Sequence, residues 1–205
     1  MFLYRSVYEY GEAEYIIERS RFIAHVSPAE TPEEARLFIA GIKEKYKDAT
    51  HNVPAFVCGA GSEHQWASDD GEPQGTSGAP IVRMLVSESV TNVCIVVTRY
   101  FGGIKLGTGG LVRAYTKSAK LGLEAAGIRN VCERYFAETE IEYSYYDVFQ
   151  KMKQDHDFAV EGAEYAEKVT LTLSCESEKK DMLKALIGQI TQGSAKIINE
   201  YKKNT

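Results

Sequence analysis

Thr91-Asn92-Val93-Cys94-Ile95-Val96-Val97-Thr98-Arg99-Tyr100-Phe101-Gly102-Gly103-Ile104-Lys105-Leu106-Gly107-Thr108-Gly109-Gly110-Leu111-Val112-Arg113 runs from an almost wholly apolar segment through five glycines into a helical pattern. An uninterrupted apolar run over Thr91–Thr98 predicts a strand buried on both faces, hence a central one. The glycines mark a loop where the backbone turns sharply or is closely approached. Helical spacing then continues to about Ala126, where Gly127 is placed to end the helix. Strand, glycine loop and helix N-terminus together make a surface for anions, because the first N–H groups of a helix lack partners and carry the positive end of its dipole.

Charge supports the same reading. The chain of 205 residues carries a net charge of -5, which disfavours indiscriminate coating of nucleic acid. Residues 1–134 hold 15 basic and 16 acidic side chains and residues 135–205 hold 9 and 13. Between Glu88 and Glu124, however, there is no Asp or Glu, while Arg99, Lys105, Arg113, Lys117 and Lys120 all fall there. Arg113, Lys117 and Lys120, spaced by four and three, share one stripe of the helix. The expected anion- or nucleic-acid-binding set is therefore Arg99, Lys105, Gly107, Gly109, Gly110, Arg113, Lys117 and Lys120. Tyr100 and Phe101 adjoin it and suit stacking on unpaired bases or packing in the core.

Upstream, Ala67-Ser68-Asp69-Asp70-Gly71-Glu72-Pro73-Gln74-Gly75-Thr76-Ser77-Gly78 is a second loop, rich in carboxylates. Its acids suit capping of backbone N–H groups or pairing with Arg99 or Arg113. The alternative is a divalent-metal site serving phosphoryl transfer or phosphate-ester hydrolysis with the glycine loop. His51 is expected to be a hydrogen-bonded structural histidine, since no nucleophile motif accompanies it. Neither a Walker loop nor a dinucleotide fingerprint fits the glycines. No catalytic residue, metal ligand or cofactor is assigned.

The remaining pattern gives an α+β chain in two domains. An extended segment over Tyr15–Val26 precedes a helix announced by Thr31-Pro32-Glu33-Glu34, with Thr31 as cap and Ala35, Phe38, Ile39, Ile42 and Tyr46 facing a core. Strands follow at Val53–Cys58 and His64–Ala67 and a short helix at Pro80–Val86. Pro54 suits an edge strand. The domain boundary is expected near Arg134, giving domains 1–134 and 135–205. The second domain reads strand Glu138–Tyr143, helix Tyr146–His156, strands Phe158–Ala163 and Val169–Cys175, helix Lys179–Thr191 and strand Ala195–Tyr201, the ferredoxin-like order. Cys58, Cys94, Cys132 and Cys175 show no metal or redox spacing and are expected to be reduced. No membrane-length apolar run or secretory signal is present, so a cytoplasmic location is expected.

The two loops, with Ala49-Thr50-His51, resemble the signature of the IMPACT family in its bacterial, YigZ-like form, over about Arg21–Gly127. The resemblance implies an N-terminal domain with the fold of the second domain of a small-subunit ribosomal protein, joined to a ferredoxin-like domain, two folds that also occur in succession in elongation factor G. Eukaryotic members regulate translation through the general-control kinase pathway with an additional N-terminal domain, so that pathway is not expected to transfer. The expected role is a non-catalytic protein bound to RNA or to a ribosomal or other translation complex, with a small-molecule phosphate as the other ligand class.

Overall fold

A computed structural model describes residues 2–153 and 156–205. Contacts divide the chain into one unit of Tyr4–Asn130 and a second of Val131–Thr205 together with Phe2 and Leu3. This division precedes the expected boundary at Arg134, because Cys132 already exchanges two backbone hydrogen bonds with Thr205.

After β1 (Phe2–Val7), the first unit contains β2 (Gly11–Ile17), β3 (Ser20–Pro28), α1 (Pro32–Lys45), β4 (His51–Cys58), β5 (His64–Ala67), α2 (Gly78–Ser87), β6 (Val93–Tyr100) and α3 (Gly107–Ala126). The antiparallel sheet has the order β2-β3-β6-β4-β5, so β6 is central, as its apolar run predicts. Alternation assigns its faces. Val93, Ile95 and Val97 pack with α2 and α3, while Cys94 and Val96 pack with Ala35, Ile39 and Ile42 of α1. Thr31 caps α1 by accepting from the Glu34 N–H at 3.2 Å, and Gly127, at φ 72°, ends α3.

Two expectations are corrected. Tyr15–Val26 is not one extended segment but part of a hairpin, in which Glu18 and Arg19 take positive φ of 45° and 61° between the paired Ile17 and Ser20. That is the backbone of a two-residue primed turn, which Glu-Arg does not advertise as Asn-Gly does. Pro54 lies in β4, between β6 and β5, and not on an edge. A strand residue's N and C=O point the same way, and the Pro54 carbonyl accepts from Ser68 just beyond the end of β5. The missing N–H therefore faces the side where the ladder to β5 has stopped, and pairing with β6 is intact.

The second unit is built from β7 (Ile128–Ile141), α4 (Tyr143–Met152), β8 (Phe158–Tyr165), β9 (Val169–Glu176), α5 (Lys180–Ile190) and β10 (Lys196–Asn204). β10 pairs with β7, β7 with β9 and β9 with β8, the strand order of a ferredoxin-like sheet, and β1 also joins β7. Leu183, Leu186 and Ile187 of α5 and Phe149 of α4 cover the face carrying Tyr135, Ala137, Leu171 and Leu173. Positions 154 and 155 of the expected helix Tyr146–His156 lie outside the described residues. The four cysteines are unpaired, and burial pushes the Cys58 thiol up to about 11.

Candidate anion-binding site

The glycine loop leaves the central strand and starts α3 with no side-chain cap. Gly107 holds the turn into the helix at φ 70°, a conformation other residues rarely adopt. Among the described residues no side chain takes the first N–H groups of α3, which stand at the positive end of a 20-residue helix. Gly102 has a different task. A Cβ there would fall 2.0 Å from the Arg19 carbonyl carbon, so its hydrogen side chain is what lets the β2–β3 turn lie against the loop.

The expected site residues divide into three groups. Lys105, Gly107 and Gly109 are exposed around the helix start, with Gly110 half-buried, and Arg113 and Lys117 are exposed along the helix. Among the described residues no carboxylate lies within ion-pair distance of Lys105, Arg113 or Lys117. Lys120 is tied instead to Glu88, with Nζ 2.6 Å from Oε1. Arg99 is not a surface cation at all. It is 4% exposed, and its Nη1 donates to Glu72 Oε1 at 2.5 Å. The cause is strand parity, because Arg99 follows Ile95 and Val97 on the face beneath α3. Its guanidinium sits 5.2 Å from the Phe22 ring centroid and 5.4 Å from that of Phe101.

Glu72 takes one of the tasks expected of the acidic loop, pairing with Arg99, and adds Tyr115, a partner the sequence does not suggest. Its side chain is 3% exposed, and the Tyr115 hydroxyl also donates to Oε1 at 2.7 Å. Burial and the Glu72 charge push the Tyr115 phenol well above its ordinary range. The sequence hint was an acid held between Gly71 and Pro73, in a carboxylate-rich loop, on a chain with Arg99 at an inward strand position.

The other acids of that loop have separate structural tasks and do not converge on one point. Asp69 accepts from the N–H groups of Gly75, Ser77 and Gly78 and from the Ser77 hydroxyl, so it caps α2, one of the tasks expected of the acids in this loop. Asp70 pairs with Lys43 at 2.5 Å and accepts from the Asn52 N–H, and His51 Nδ1 donates to the Asp70 carbonyl at 2.7 Å. Burial raises the Asp69 carboxyl, but its four hydrogen bonds outweigh burial and hold it below the usual carboxylate range. A group depressed in this way stabilises the fold above its unfolded pKa and loses that contribution as pH falls through its folded value. Asp69→Ala should accordingly cost about 0.5–2 kcal/mol at neutral pH, the range for a lost helix cap. The gap from the unmutated chain should narrow in denaturant titrations as pH drops below about 4.

At the head of α3 the two loops enclose a cavity of about 360 Å³, lined by Glu72, Arg99, Phe101, Lys105, Thr108 and Leu111 among others. Asp69, Asp70 and His51 are outside its lining. No helix of the described residues is long and apolar enough to cross a membrane.

Comparison with known proteins places this geometry in a family. Residues 18–123 match the Impact N-terminal domain, and residues 139–194 match a domain of unknown function, DUF1949. The chain is 38% identical to the IMPACT family member YvyE of Bacillus subtilis, over 95% of this chain and 89% of that protein. It is 30% identical to the IMPACT family member YigZ of Escherichia coli, over 89% and 90% respectively. A crystal structure of a hypothetical protein aligns with a TM-score of 0.59 at 28% identity, covering 96% of this chain and 97% of that one.

Proposed function

Because the chain belongs to the IMPACT family, we propose that it is a cytoplasmic, non-catalytic protein that binds RNA or a ribosomal complex and influences translation. The observation that carries this reading is the uncapped N-terminus of α3, followed along the same helix by exposed cations, Arg113 and Lys117, and preceded by Lys105. Backbone N–H groups, a helix dipole and three unneutralised cations suit a string of phosphates. The carboxylates that a phosphoryl-transfer site would need are spent on the α2 cap, on Lys43 and on Arg99.

Lys105→Gln, Arg113→Gln and Lys117→Gln together should weaken binding to RNA or ribosomes in filter binding and co-sedimentation. The log–log salt dependence should flatten by about 0.7 per lost single-strand contact or about 0.9 per duplex contact. Lys120→Gln should act less, since that charge is already held by Glu88. Unchanged affinity and slope in the triple variant would overturn the proposal.

A further inference from the structure

A flat phosphate-binding face has no need of the cavity at the head of α3, which offers three unlike groups. Phe101, Leu106 and Leu111 give it an apolar wall; Lys105 and the first N–H groups of α3, at Gly107 and Thr108, give it a positive end. Glu72 adds a carboxylate, buried to 3% side-chain exposure, whose Oε1 is occupied by Arg99 and Tyr115. Among the described residues nothing donates to its Oε2. The volume, about 360 Å³, lies within the range of small-molecule sites, about 300–1,000 Å³.

A bare phosphate is a poor occupant, since it would use Lys105 and the helix N-terminus alone and leave the apolar wall empty. A purely apolar molecule leaves Lys105, the helix N-terminus and Glu72 Oε2 unanswered. The combination calls for an anionic group held apart from a hydroxyl donor, on a molecule that also carries an apolar ring. A second cavity, of about 430 Å³, shares Lys105 and Leu106 with the first and extends to Arg113, so a chain continuing out of the first meets the basic stripe.

We propose that this cavity holds one unstacked ribonucleotide, with its phosphate on Lys105 and the N-terminus of α3, its base against Phe101 and a ribose hydroxyl donating to Glu72. The inference rests on the RNA-binding reading and specifies it: the stripe supplies affinity for the backbone, and the cavity recognises one nucleotide and its sugar. The 2′-hydroxyl is the group that separates RNA from DNA at such a site.

The test is calorimetric titration of the full chain with each ribonucleoside 5′-monophosphate, its 2′-deoxy counterpart, the unphosphorylated nucleoside, inorganic phosphate and a single-stranded oligoribonucleotide. At least one ribonucleotide is expected to bind with one-to-one stoichiometry, about tenfold or more tighter than its deoxy form, the value of a hydrogen bond to a charged group. Phe101→Ala removes a ring that is 46% exposed and should weaken nucleotide binding by about 5- to 150-fold, the range for one base stack, in a variant whose thermal unfolding shows it folded. Lys117→Gln should weaken the oligonucleotide and leave the mononucleotide unchanged. Oligonucleotide binding without mononucleotide binding, or equal affinity for ribose and deoxyribose, would overturn the cavity assignment while the RNA reading stands. Inorganic phosphate binding as tightly as the nucleotide would likewise overturn it, and no binding by either nucleotide or oligonucleotide would overturn both.

Discussion

Glu72→Ala should destabilise the first unit by about 3–5 kcal/mol, the cost of leaving one partner of a buried ion pair alone. Arg99 and Glu72 have side-chain exposures of 5% and 3%, so the partner left behind stays largely out of water. The Tyr115 hydroxyl loses its acceptor at the same time. Glu72→Gln keeps an acceptor and should cost less than Glu72→Ala. Removing both charges with isosteric apolar residues, as in Glu72→Leu with Arg99→Met, should cost less than the sum of the single changes, because neither is then left unpaired. Chemical denaturation of Glu72→Ala, Glu72→Gln, Glu72→Leu, Arg99→Met and the double change measures this directly; additive losses in the last three would show that the pair is not energetically coupled.

Gly102→Ala should be the most damaging single methyl in the glycine loop. The added carbon meets three backbone atoms at once, Arg19 C at 2.0 Å, Arg19 O at 2.2 Å and Ser20 N at 2.4 Å, and backbone has no rotamer to escape into. Relief requires the hairpin turn and the loop to separate, which also strains the hydrogen bond from the Gly102 N–H to Ser20 Oγ. The expected loss is roughly 1–3 kcal/mol or more, the cost of overpacking. Gly109→Ala is the matched control. Its Cβ meets only Arg113 Nη1, at 3.5 Å, and alanine is the better helix former by about 1 kcal/mol, so stability should hold or rise. Gly110→Ala is less clean, since its Cβ falls 3.0 Å from that of Leu106. If phosphate approaches the start of α3, Gly109→Ala should weaken RNA binding in a fully folded protein, and thermal unfolding with RNA titration on the same samples separates the two effects.

The parts of this structure that depend on local pattern were legible in the sequence. The apolar run of β6, the cap at Thr31, the apolar face of α5 and the glycine after α3 each record a constraint within a few neighbouring residues. The parts that escaped depend on partners far along the chain. Glu72 reaches Tyr115 from a loop 43 residues away, a partner the sequence does not suggest, and although pairing of the acidic loop with Arg99, 27 residues off, was expected, Arg99 also reads as a surface cation until the sheet fixes which face it joins. Pro54 looked like an edge residue because sequence does not say where a neighbouring strand stops. Lys120 lost its place among the free cations to Glu88, 32 residues earlier, which packing brings beneath it. For the site, the glycines and Lys105, Arg113 and Lys117 were readable as a group, whereas the cavity was not, since it exists only where the acidic and glycine loops meet.

The central claim is that phosphates of RNA dock on the start of α3. The most direct measurement is amide chemical-shift mapping on isotopically labelled protein titrated with a short single-stranded oligoribonucleotide. The largest shifts are expected at the N–H groups of Gly107, Thr108, Gly109 and Gly110, followed by Lys105 and Arg113, all saturating together and all suppressed by raised salt. Saturable binding that leaves the amides of Gly107 to Gly110 unmoved would contradict it.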